Sequence, residues 1–70
     1  MPLTMTKAGD TVTIRQITGK DEVRQHLAEL GVVVGETVTV VNEISGNLIL
    51  QVKEARIALD KTLAMRIIVA

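Results

Sequence analysis

No cysteine occurs among the 70 residues, and no phenylalanine, tyrosine or tryptophan. The first absence excludes disulfides and thiolate metal sites. The second excludes the usual stacking platforms for single-stranded nucleic acids, and the aromatic-lined grooves that take proline-rich peptides. Proline occurs once, at Pro2. Neither sign of charge is in excess, with eight Lys and Arg against eight Asp and Glu. Nucleic-acid binders carry a basic surplus, so no direct nucleic-acid contact is expected, and no helix-turn-helix is written here. Long apolar runs are missing as well. None exceeds five residues, against the roughly 20 needed to cross a bilayer as a helix. The opening segment MPLTMTKAGD is polar and broken by Pro2, unlike a secretory leader. These absences predict a cytoplasmic protein with no direct membrane insertion and no need of an oxidising compartment.

What the chain does have is aliphatic side chains. Hydrophobic residues make up 47% of it, mostly Val, Ile and Leu. A chain of this length builds one domain with a thin core, here spanning 1–70. Residues 10–18, DTVTIRQIT, alternate apolar and polar and predict a half-buried antiparallel strand. Ile14 and Ile17 have opposite parity, so a bulge near Arg15-Gln16 is needed to return Ile17 to the core side. Residues 19–31 predict a helix. Asp21 and Glu22 occupy its first turn, Val23, Leu27 and Leu30 form one apolar stripe, and Gly31 terminates it.

Val32, Val33 and Val34 follow, enclosed by Gly31 and Gly35. β-Branched residues favour extended backbone. This segment reads as the return path from helix to sheet, with at least one valine pointing inward beneath the helix. Further strands are expected at 36–45, 48–53 and 56–60, with a three-residue hairpin loop at Ser45-Gly46-Asn47. One helical turn at 61–66 and a last strand at 67–69, pairing back on an early one, complete the order. The expected core comprises Val12, Ile14, Val23, Leu27, Leu30, Val38, Val40, Ile57, Leu59, Ile67 and Val69. Such pieces bury most apolar surface as an all-β fold, a small barrel of about five bent antiparallel strands with one inserted helix.

Catalytic chemistry has almost no support. Ser45 belongs to a hairpin, His26 lacks a nucleophile and an orienting acid, and the glycines are scattered singly rather than gathered into a phosphate loop. The chain is expected not to be an enzyme and to carry no cofactor. His26 has Glu22 four residues before it and Glu29 three after, so the three share one side of the helix. Imidazole with carboxylates can ligate divalent transition metals, but a solvated polar stripe has the same pattern, and no metal site is expected. Arg15, Arg24, Arg56 and Arg66 are candidate partner contacts, arginine being enriched at binding hot spots. Val33 and Leu48 are apolar candidates for the same role.

The order and spacing of these pieces resemble the FeoA family. Leu3, Gly9, Ile14, Ile17 and Gly19 match its opening, and Arg24, Leu27, Leu30, Gly31, Gly35, Val38 and Val40 its helix and following strand. Gly46, Ile57, Ala58, Leu59, Ala64, Ile67 and Val69 match its hairpin and close. Val34 and Leu48 stand where family members often carry proline. The resemblance implies an SH3-like barrel and an accessory role in ferrous iron uptake, exercised on the cytosolic part of the transporter FeoB. Arg24 matches the family's helix arginine, which ranks the surface of Arg24, His26 and Glu29 ahead of the strand edge at Arg56. Two alternatives remain open. One is metal sensing or metallochaperone work through His26, Glu22 and Glu29. The other is a stand-alone version of the interaction barrel found in metal-dependent repressors. Weak self-association is compatible with each.

Overall fold

The computed structural model describes residues 1–70. A 3₁₀ turn at Leu3–Met5 precedes β1 (Thr11–Ile17), α1 (Asp21–Glu29), β2 (Thr37–Ile44) and β3 (Asn47–Val52). β4 (Ala55–Asp60), α2 (Lys61–Ala64) and β5 (Ile67–Val69) follow. Every expected element is present, with ends that differ by a residue or two. The strands form one antiparallel sheet in the order β4-β3-β2-β1-β5, so the last strand does return to the first.

Two irregularities bend this sheet. The β1–β5 register shifts between Ile14 and Gln16, which exposes both Arg15 and Gln16 and leaves Ile14 and Ile17 buried. This is the bulge that the parity of the two isoleucines requires. A second shift lies between Val40 and Asn42 on the β2–β3 ladder. All five strands feed a single cluster of 15 buried apolar residues, which also includes Leu3, Leu27, Val32 and Ala64. One cluster reached from every strand requires the sheet to curl around it, which gives the SH3-like barrel. No polar or charged residue is buried with it.

The core differs from expectation in detail. Val23, Leu30 and Ile57 are only half-buried and pack on the cluster from outside: Val23 and Leu30 because nine-residue α1 lies at the rim and sinks Leu27 alone, Ile57 because its strand β4 is an edge of the sheet. Leu48 is corrected most sharply. Proposed as a surface contact, it is 5% exposed, since Leu48, Leu50 and Val52 share the inward parity of β3. The β2–β3 connection is also shorter than expected. Ile44 pairs with Asn47, so only Ser45 and Gly46 form the turn, with φ of 52° and 81°. Positive φ at both central residues marks the type I′ turn, whose twist suits a hairpin.

The two sheet edges are treated differently. β5 is covered by the start of the chain. Pro2 bridges Ile68, the Met1 ammonium donates to the Val69 carbonyl at 2.9 Å, and the Val69 N–H donates to the Met1 carbonyl at 2.7 Å. β4 pairs only with β3.

Candidate functional site

The valine segment builds the most distinctive surface of the molecule. α1 ends in a Schellman motif: the Val32 N–H reaches the Leu27 carbonyl at 2.9 Å and the Gly31 N–H the Ala28 carbonyl at 3.0 Å. Such a motif brings the residue after the glycine against the last helical turn. Val32 and Leu27 are accordingly both fully buried, and Val32 is the valine that turns inward beneath the helix. Gly31 sits at φ +88°, and a Cβ there would lie 3.3 Å from Cγ1 of Val52. Left-handed backbone costs an L-residue about 1–2 kcal/mol. Gly31→Ala should therefore lower the melting temperature by roughly 5–15 °C in a scan followed by far-UV circular dichroism.

Beyond Val32 the chain stays at the surface. The Gly35 N–H donates to the Ile14 carbonyl at 2.8 Å, and the Ile14 N–H to the Glu36 carbonyl at 2.9 Å. These bonds tie the loop to β1 just before its bulge. Val33 and Val34 are left 41% and 61% exposed.

Between this loop, α1 and the bulged half of β1 lies an open groove of about 340 Å³. Its apolar lining comes from Ile17, Ala28 and Val32–Val34, and its polar members are Arg15, Gln16 and Arg24. The bulge puts Arg15 there, and helical spacing puts Arg24 one turn before Ala28. Arg24 is held by Asp21 on the same helix, in an exposed ion pair with side-chain exposures of 54% and 92%. Such a pair contributes little, so its guanidinium can be shared with another carboxylate at small cost. Arg15 makes no ion pair.

The remaining candidate residues are dispersed. His26, Glu22 and Glu29 are exposed on α1. The ion pairs of the chain, Arg24–Asp21, Lys53–Glu36 and Lys61–Glu43, include none of them. No three His, Asp or Glu side chains converge where they could hold a metal. Arg56 lies on β4, away from the groove, and its Nε donates to Oε1 of Gln51 at 2.9 Å. Arg66 packs its side chain over Gly19. Of the residues singled out in the sequence, Arg15, Arg24 and Val33 come together, whereas His26, Glu29 and Arg56 do not join them. Gln16 and Ala28 were missed, and only the bulge and the helix phase could have pointed to them.

A FeoA domain model matches residues 1–70. An Fe(2+) transport protein A from Methanocaldococcus jannaschii is 31% identical over 68 residues, covering 97% of this chain and 83% of that one. A crystal structure of an iron uptake regulatory protein (FeoA) matches with a TM-score of 0.93 at 33% identity, over 100% of this chain and 93% of that one. A manganese-dependent transcriptional repressor shares the fold, with a TM-score of 0.89 at 22% identity, and the chain covers 40% of it. Matched by the family's model from first residue to last, and alike in sequence and fold to proteins that carry its name, the chain belongs to the FeoA domain family.

Proposed function

We propose that the chain is a small cytosolic accessory protein of ferrous iron uptake, with no reaction of its own, that works by docking on the cytosolic part of the transporter FeoB. Family membership supports the iron-uptake role. The observation that carries the mode of action is the groove, an apolar surface at Val33 and Val34 flanked by Arg15 and Arg24. Exposed apolar patches rimmed by polar groups mark protein contacts. A partner segment with an aliphatic side chain beside a carboxylate would meet both parts of it. Metal sensing through His26, Glu22 and Glu29 gains no support from exposed side chains that do not converge.

The test compares Arg24→Glu with Arg56→Glu, each checked for unchanged folding by circular dichroism. Binding to the transporter's soluble domain is then measured at low and moderate salt. Arg24→Glu should weaken binding by roughly tenfold and flatten its salt dependence, as loss of a rim charge does. Arg56→Glu should bind as the parent does. Loss with Arg56→Glu alone would move the contact to β4, and parent-like binding by both would remove the arginines from the interface.

A further inference from the structure

The edge strand β4 has a property that the groove does not use. Its residues 56–60 read Arg-Ile-Ala-Leu-Asp, a segment whose charges are opposite and equidistant from Ala58. We propose that β4 pairs with β4 of a second copy, antiparallel about a two-fold axis at Ala58, joining two five-stranded sheets into one.

Backbone geometry supplies the first argument. Val52 pairs with Ala55 across the two-residue turn Lys53-Glu54, which makes theirs a hydrogen-bonded pair, and such pairs alternate along an antiparallel ladder. Leu50↔Ile57 and Leu48↔Leu59 are then hydrogen-bonded as well. Arg56, Ala58 and Asp60 consequently aim their backbone groups away from β3. None of the backbone bonds made outside the regular helices and strands involves Ala55–Asp60. The register with β3 runs unbroken from Ala55 to Asp60, and the strand contains no proline or lysine. Natural edges are normally blunted by such devices, and here only the β5 edge is closed.

Charge supplies the second argument. Arg56, Ala58 and Asp60 are all exposed, on the face opposite Ile57 and Leu59. Pairing centred on Ala58 places each Arg56 directly across from Asp60 of the second copy, twice over. Opposite charges across strands are favourable and like charges are not. Both groups have capacity to spare. Arg56 uses Nε on Gln51, which leaves its two terminal nitrogens free. Asp60 uses Oδ1 to accept from the Leu63 N–H at 2.8 Å, which leaves Oδ2 free. Neither belongs to an ion pair within its own chain. A self-complementary patch of this kind is what a two-fold interface demands.

The experiment is sedimentation equilibrium of the full chain up to millimolar concentration, with three variants. The parent should show a monomer–dimer equilibrium. Arg56→Glu and Asp60→Lys each set like charges opposite one another twice, and each alone should dimerise about tenfold more weakly. An equimolar mixture of the two restores both opposite pairs and should return to within about threefold of the parent. Ala58→Pro removes an outward N–H and spares the bonds to β3, as edge strands allow. It should abolish the dimer while circular dichroism keeps the folded spectrum. Arg56→Glu and Ala58→Pro leave the cap of α2 untouched, so they test the edge even if Asp60→Lys loosens that helix. A parent that stays monomeric overturns the proposal. So does a dimer that Ala58→Pro leaves intact, or a mixture no stronger than its components.

Discussion

Leu27→Ala should leave the chain largely unfolded at 25 °C. Leu27 is the one fully buried residue of α1, and its carbonyl accepts the bond that closes the helix onto Val32. Truncating a buried leucine costs about 2–5 kcal/mol through lost transfer energy and the cavity left behind. A domain of this length rarely holds more than about 3–5 kcal/mol in total. The surrounding residues cannot collapse easily into the gap, because the Val32 N–H is tied to the Leu27 carbonyl and the barrel wall is already paired. The chain has no Trp or Tyr to report by fluorescence, so far-UV circular dichroism with urea titration is the measurement. A midpoint equal to the parent's would mean that α1 rests on the barrel without being anchored to it.

The second large effect separates two identical residues of one short segment. Val32→Asp should abolish folding, whereas Val34→Asp should leave the melting temperature within about 2 °C of the parent. Val32 is 0% exposed and Val34 61%. An unpaired carboxylate taken out of water meets a penalty of several kcal/mol even after relaxation, and no polar group is buried near Val32 to compensate. At Val34 the carboxylate stays hydrated. The same Val34→Asp change puts a negative charge in the groove lined by Arg15 and Arg24, so under the proposed function it should weaken binding to the transporter's soluble domain without touching stability. Unfolding curves and binding isotherms on the same two variants check both halves. Equal destabilisation by the two substitutions would contradict the loop path described above.

The legible parts of this fold are those governed by period. Alternation marks β1 and helical spacing marks the stripe of α1. The parity conflict between Ile14 and Ile17 marks the bulge, because a strand cannot bury both without an extra residue. Leu48, Leu50 and Val52 could have been placed inside by the same parity. Other features depend on partners distant in sequence. Leu3 follows Pro2 in a polar stretch and is buried only because that stretch bridges β5 and its turn packs on α2 and β5. Ala64 is buried on a helix too short to show a period. Ser45 adopts left-handed backbone at φ 52°, a role that Asn or Asp would have announced. The groove is legible only residue by residue. Arg24 stands out through its family match, but its meeting with Arg15 across the valines comes from tertiary structure.

The closure of the β5 edge by Met1 and Pro2 sets the valence of this molecule as a building block. A sheet with two exposed edges can add neighbours at both ends and grow without limit. A sheet with one can take a single neighbour, and if that neighbour is itself, assembly stops at two. With the β4 pairing proposed above, two residues at the start of the chain stand between a finite pair and an open-ended fibre.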